Sequence, residues 1–347
     1  MTAGPDRVRA SAPGKLLLFG EYAVLAGGPA LVMAVDRRAR VLVEATDTED
    51  LHIAAPQLGL AGDGLVFDPD HPDRVLGLTG RLLARRLARY GLPAAGLRIE
   101  IDTAELFDQD AAGTPVKLGL GSSAAVSAAL DAALAVRAGA SEPGLDELLR
   151  DYRAAIGGPV SGADLAASLC GGLLRVQPAG DRLATTPATW PDGLHAAPIW
   201  VERPASTPAF AAAFDAWRQR QPEAAAAWVG RMNAATCSAL EAGRAEAWIE
   251  AATHGVDALR ELQAAIGAEI VTERHRQLLE AADRCGVAYK TCGAGGGDFG
   301  IALATDPERL AAFGERALAA GARPVELRLE ASGACVAEGR DEPTEGA

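Results

Sequence analysis

Residues 119–125 read G-L-G-S-S-A-A and lead straight into an alanine-rich run that ends near Gly139. No other stretch restricts the fold as much. Alanine and leucine at this density favour a helix over 122–140, with Ser at its start and Gly139 at its end. Two glycines just before a helix let backbone N–H groups approach a ligand closely. The helix start adds orphan donors and the positive end of its dipole, and the side chains there are too small to block approach. This is an anion site that suits a triphosphate, and its two hydroxyls are within the chemistry of Mg²⁺. The same residues would also serve as a plain helix cap after a tight turn. A Walker A loop is excluded, because G-x-x-x-x-G-K-[ST] does not occur.

Lysine placement points the same way. Of 33 basic residues, 30 are Arg and three are Lys: Lys15, Lys117 and Lys290. GC-rich coding bias accounts for most of that skew but not for the positions. Each Lys borders a glycine-rich segment: A-P-G-K at 12–15, K-L-G-L-G-S-S at 117–123 and K-T-C-G-A-G-G-G at 290–297. A compact ammonium beside phosphate-cradling backbone is a part that Arg does not replace.

A net charge of −13 argues against nucleic acid and anionic membranes as partners, so any anionic ligand must be held by local charge and backbone donors. Five cysteines without a C-x-x-C pair exclude a disulfide scaffold and suit free thiols in a reducing cytoplasm. Five histidines without H-x-H or H-E-x-x-H spacing offer no zinc site. Residues 1–10 lack the apolar run of a secretory signal, no run approaches the ~20 residues of a membrane span, and the tail at 338–347 reads as frayed.

Strand-like runs open the chain at 8–12, 15–20 and 30–45. A helix is expected over 75–90, then a strand over 97–102. Helices at 143–156 and 162–169 and a strand at 172–178 follow the helix at 122–140. The Pro-, Thr-, Gly- and Asp-rich segment 178–196 marks a boundary between two domains, 1–190 and 191–347. Beyond it come a strand at 198–202, several helices between 207 and 284, strands at 287–291 and 299–304 around a glycine loop, a helix at 307–320 and a strand at 324–330. All five Trp lie between 190 and 248, which suits a helical core better than a ligand cage. Strands and helices mix without strict alternation, so the fold class is α+β.

Two further segments bear on chemistry. C-G-A-G-G-G-D-F-G at 292–300 runs into a strand and not a helix, which rejects a dinucleotide-binding fingerprint, yet its glycines demand unusual backbone angles or close approach. In P-V-S-G-A-D-L-A-A-S at 159–168, Asp164 sits among small apolar residues, where it is either a helix cap or one half of an acceptor-activating pair with Lys15.

Residues 12–33, 117–125 and 290–301 resemble, in order and spacing, the three motifs of the GHMP kinases, a family that includes galactokinase, homoserine kinase, mevalonate kinase and phosphomevalonate kinase. The likeness spans most of the chain. It implies an ATP-dependent small-molecule kinase using Mg²⁺. It also implies a two-domain fold, with a ribosomal S5 domain 2-like N-terminal domain, a ferredoxin-like C-terminal domain and the active site in the cleft between them. Tyr22, Asp298, the K-L-G-L-G-S-S-A-A lead, S-G-A-D at 161–164 and R-P-A-S-T at 203–207 are similar to the phosphomevalonate kinase branch. That implies 5-phosphomevalonate as the small-molecule partner and a step of isoprenoid synthesis. Mevalonate kinases carry a magnesium-binding Glu ahead of the S-G-x-D aspartate, whereas this chain has Arg153 near that position and leaves the second metal ligand unidentified. A non-catalytic ligand sensor on the same fold is the alternative of another class, and the intact Lys, Asp and Ser-Ser set speaks against it.

The resemblance carries roles onto individual residues. Lys117, Gly119, Leu120, Gly121, Ser122, Ser123 and Ala124 would hold the ATP phosphates, with Ser123 on Mg²⁺. Lys15 and Asp164 would be catalytic. Tyr22, Ser161, Gly162, Ser206, Lys290, Gly295 and Gly296 would contact the acceptor. The enzyme is expected as a monomer or homodimer.

Overall fold

The computed structural model describes residues 4–74, 76–109, 113–141, 144–158, 160–201 and 207–337. The first motif opens a long antiparallel pair, β1 (Arg7–Phe19) and β2 (Ala30–Ala45). β1 is one strand where two were expected, because a register shift between Pro13 and Gly14 absorbs the interruption without ending the pairing. The hairpin β3 (Leu51–Ala55) and β4 (Leu60–Phe67) is followed by α1 (Leu78–Tyr90) and β5 (Leu97–Asp102). A small ribbon of β6 (Phe107–Gln109) and β7 (Pro115–Lys117) leads into the glycine loop and α2 (Ser122–Arg137). Then come α3 (Leu145–Ile156), α4 (Ala163–Cys170) and the hairpin β8 (Leu173–Ala179) and β9 (Arg182–Pro187). The segment read as a boundary therefore contains β9.

β2 organises the first sheet. Its first half pairs with β8 and its second half with β5. Side chains alternate across it: Leu31, Met33 and Val35 join the core containing α2, while Ala30, Val32 and Ala34 face α3 and α4. α2 is buried along almost its whole length, and its alanines let it lie close to the sheet. Its one buried acid, Asp131, is matched by the wholly buried Arg86 of α1, which also reaches Asp151 of α3 at 2.7 Å. One cation thus ties three helices together behind the loop.

The second sheet takes β10 (His195–Trp200), β11 (Ala288–Thr291), β12 (Phe299–Ala304) and β13 (Arg323–Pro324), in the order β11-β12-β10-β13. It is covered by α5 (Thr207–Arg220), α6 (Pro222–Ala242), α7 (Ala245–Ile266), α8 (Glu273–Cys285) and α9 (Pro307–Ala319). Trp217 and Trp228 pack with Phe214 and Leu259 in its core, and Trp248 meets both Trp190 and Phe19 of β1 edge to face. Of the strand expected over 324–330 only Pro324 lies in β13, and Leu329 forms an isolated bridge with Val35 of β2. After Pro324 the chain crosses to the first sheet: Glu330 N–H donates to Ala34 O at 3.0 Å, and β14 (Cys335–Val336) pairs with β1. Among the described residues no helix is long and apolar enough to cross a membrane.

Candidate active site

The bulge in β1 is where the second motif docks. Lys15 N–H donates to Leu120 O at 2.8 Å, and a Cβ on Gly14 would stand 2.7 Å from that carbonyl. Gly119 and Gly121 both take the left-handed conformation, with φ of 78° and 74°. Both are also crowded by a charged side chain. A Cβ on Gly121 would meet Lys15 Cε at 2.8 Å, and one on Gly119 would meet Asp298 Cγ at 2.2 Å. The phosphate loop is thus held between a lysine of the first motif and an aspartate of the third, and glycine is required at both contacts. α2 begins at Ser122 behind Gly121, without a side-chain cap; Ala124 N–H already donates to Gly121 O at 2.9 Å, so of the expected phosphate contacts in its first turn it is the amides of Ser122 and Ser123 that are left to an anion, and not that of Ala124.

Lys15 runs over Gly121 and reaches Asp164, with Nζ 3.2 Å from Oδ1. The Lys15 side chain is mostly buried and that of Asp164 is 42% exposed, so the pair faces the cleft from the carboxylate side. Asp164 lies in the first turn of α4, whose cap residue Gly162 is left-handed. Ser161 Oγ accepts from Ala163 N–H at 3.2 Å. Lys117 is open to the cleft, yet desolvation holds its pKa below the ordinary lysine value; Lys15 acts in the same direction and Asp298 opposes it. Lys15, Lys117, Asp164, Ser161, Gly162 and the glycine loop therefore come together.

Other expected contacts do not face the cleft. Lys290 is wholly buried: it pairs with Glu21 and donates to Leu18 O at 2.8 Å and Thr291 O at 2.7 Å. All three of its N–H bonds are used, so its role is to join the first and third motifs and not to contact the acceptor. Tyr22 is 5% exposed, its hydroxyl donates to Ala294 O, and its ring packs on Phe214. It staples the third loop to the first motif at the cost of a strained backbone, with φ 59°. Gly295 and Gly296 are buried against Ile270 and Phe210, so their missing side chains serve packing and not ligand approach. Ser206 lies outside the described residues. Arg153 donates to Asp181 O at 2.8 Å and is turned toward the β8–β9 hairpin.

Sequence reasoning missed Glu21 as a site-building residue and took Asp298 only as a family marker. The signal for Glu21 was a carboxylate in an apolar run just past a strand, which must find a cation if the run is buried. It also missed His275, which is fully buried behind the third loop. Its Nδ1 lies 2.8 Å from Tyr289 Oη and its Nε2 lies 3.3 Å from Gly297 O. A neutral ring satisfies both if Nε2 donates to the carbonyl and Nδ1 accepts from the tyrosine. Burial lowers its pKa to about 4, against the pull of the Gly297 carbonyl. The unfolded chain binds this proton below about pH 6.5 and the folded chain only near 4. The histidine should therefore cost stability as pH falls between those values, levelling off at about 3 kcal/mol. Urea unfolding of His275→Gln at pH 7.5 and pH 5 is expected to show a flatter pH dependence than the parent. An unchanged slope would remove this assignment.

An ATP triphosphate fits the loop through the uncapped amides of α2 and the flanking lysines. Magnesium fits as the nucleotide's own ion. Among the described residues no group of three or more His, Cys, Asp or Glu forms a cage, and the loop offers the Ser123 hydroxyl. Such a donor set suits an ion that keeps phosphate oxygens and waters.

The fold and the loop define a two-domain α+β phosphoryl-transfer enzyme. Residues 78–172 match the GHMP kinases N terminal domain, and residues 237–323 match the GHMP kinases C terminal domain. A phosphomevalonate kinase of Streptomyces sp. (strain CL190) is 32% identical over 87% of this chain and 91% of its own length. A mevalonate kinase of Methanothermobacter thermautotrophicus is 32% identical over 48% of each chain. The structure of Streptococcus pneumoniae phosphomevalonate kinase in complex with phosphomevalonate and AMPPNP superposes with a TM-score of 0.74 at 22% identity, covering 92% of this chain and 99% of that one. The chain belongs to the GHMP kinase family. It is a phosphotransferase with the two-domain fold of that family.

Proposed function

We propose that the enzyme transfers the terminal phosphoryl group of ATP to the phosphate of 5-phosphomevalonate, giving ADP and 5-diphosphomevalonate. The observation that carries this reading is the Lys15 ammonium, laid over the phosphate loop at Gly121 and 3.2 Å from Asp164 at the start of α4. The likeness to a phosphomevalonate kinase over 87% of the chain supports the acceptor. In this reading residues 1–190 hold the nucleotide and the second domain, built on the sheet of β10 to β13, forms the other wall of the cleft. The amides of 119–123 and Lys117 bind the phosphates. Magnesium, when bound to the nucleotide and Ser123, supplies further neutralisation of phosphate charge. Asp164 orients Lys15 and the acceptor, beside Ser161 and Gly162.

A phosphate monoester has its second pKa near ~6, so the acceptor is already mostly dianionic at pH 7. It needs little deprotonation and much charge neutralisation, which matches a carboxylate already engaged with a lysine. ADP release measured over phosphomevalonate, mevalonate, galactose and homoserine tests the acceptor. The expected kcat/KM for phosphomevalonate exceeds that for mevalonate at least about 10²-fold, because a site built for a phosphate leaves polar groups unpaired when that group is missing. An equal or greater kcat/KM with mevalonate would assign the enzyme to that alcohol instead.

A further inference from the structure

Tyr152 of α3 carries a hydroxyl that the fold does not use. The chain has four tyrosines. Tyr22 donates to Ala294 O, Tyr90 donates to Asp131 and Tyr289 bonds with His275, so three of the four hydroxyls are satisfied within the protein. Tyr152 is 6% exposed, yet its hydroxyl makes no hydrogen bond to any described residue, Asp164 included. Nor is it sealed in the core, as the unbonded hydroxyls of Ser168 and Thr291 are. Its surroundings show where it opens. α3 lays Leu148, Leu149 and Tyr152 into the core shared with Ala163, Leu165 and Ala166 of α4. Leu149 seats on the cap of α4, where its Cδ1 would lie 2.7 Å from a Cβ on Gly162, and Tyr152 follows on the same helix face. Among the described residues the Asp164 carboxylate is the one charged group that acts on Tyr152. Burial first, and that charge second, hold its pKa well above the ordinary tyrosine value, so the hydroxyl stays a neutral donor. The neighbouring Arg153 is turned away to Asp181 O. Phenylalanine would fill the same core without the cost of an unbonded hydroxyl, so packing alone does not call for tyrosine here.

We infer that Tyr152 is a further acceptor-binding residue, whose hydroxyl donates to a phosphate oxygen of the phosphorylated acceptor at the start of α4, beside Asp164. This rests on the acceptor site proposed above. In that reading the reacting end of the acceptor lies next to the Lys15–Asp164 pair and is a dianionic phosphate. Asp164 cannot hold such a group by itself, because carboxylate and phosphate repel each other. A neutral donor on the adjoining wall binds a phosphate oxygen without adding charge, and an O–H bond to an anionic oxygen is of the strong, charge-assisted kind.

The test is steady-state kinetics of Tyr152→Phe in the full chain, with phosphomevalonate and ATP each varied while the other is saturating. The substitution removes one oxygen and keeps the ring in the core. Its kcat/KM for phosphomevalonate is expected to fall about 10–100-fold, the worth of a hydrogen bond to a charged group. The KM for ATP should stay within about threefold of the parent, and thermal unfolding should be unchanged or slightly later, since an unbonded hydroxyl has gone. A parental kcat/KM for phosphomevalonate overturns the inference and leaves the proposed reaction standing. So does a KM for ATP that rises as much as the acceptor constant falls, which gives the hydroxyl to the nucleotide. A parent chain that does not turn over phosphomevalonate overturns the acceptor reading itself, and the inference falls with it.

Discussion

Lys15→Ala is expected to turn over about 10²–10³-fold more slowly than the parent while unfolding at nearly the same temperature. Two anions must approach each other if a phosphoryl group passes from ATP to a phosphate. The ammonium that lies over the loop and touches Asp164 is placed to offset that repulsion in a site shielded from water. Lys15→Arg will not restore the rate. Three stem carbons of Lys15 lie within 3.4 Å of the Cβ direction of Gly121, and a planar guanidinium cannot take the path of a compact charge there. Asp164→Asn separates the two acceptors. It keeps size and hydrogen bonding and removes the base. For a dianionic phosphate its loss should be clearly smaller than that of Lys15→Ala. For an alcohol it should be comparable or larger, within the ~10²–10⁴ range of general-base catalysis. Steady-state kinetics of the three variants with thermal unfolding as a control decide the matter, and near-parental kcat in Lys15→Ala would refute the charge-neutralising role.

The phosphate loop was legible because its requirements are local. Glycines before an alanine-rich helix make an anion site whatever surrounds them, and α2 begins at Ser122 behind a left-handed Gly121. The scarcity of lysine pointed to positions that need a compact ammonium, but it carried no information on the partner. Two of the three face the cleft, while the third closes on Glu21 inside the protein. The difference depends on contacts 269 residues apart, which no local pattern encodes. Glycines were ambiguous for the same reason. Gly295 and Gly296 are crowded by Ile270 and Phe210, and Gly119 by an aspartate of another motif. The β3–β4 hairpin left little trace because Leu65 and Val66 at its edge are exposed and Pro56 and three glycines interrupt the alternation. The run Val325–Glu330 alternated like a strand, but it spends that pattern crossing between the two sheets.

Breaking the Glu21–Lys290 pair should destabilise the enzyme by about 3–5 kcal/mol from either side, the size of loss seen when a buried ion pair is left with one member. Both side chains are wholly buried. Lys290 also serves two carbonyls and lies 5.6 Å from the centre of the Phe19 ring, whereas Glu21 Oε2 has no partner among the described residues. Burial pushes the Glu21 carboxyl above its ordinary pKa, and Lys290 pulls the other way, so the pair survives on mutual attraction in a site that would favour neither charge alone. Glu21→Gln leaves the ammonium without a counter-charge. Lys290→Met leaves the carboxylate so, and strips donors from Leu18 and Thr291. The double variant Glu21→Gln/Lys290→Met removes both charges and should lose less than the two single losses together, by about 2 kcal/mol or more in a double-mutant cycle. Denaturant unfolding of the four proteins measures this directly. Additive losses would show that the two residues do not act as a pair and that the first and third motifs are joined mainly by apolar packing around Phe19.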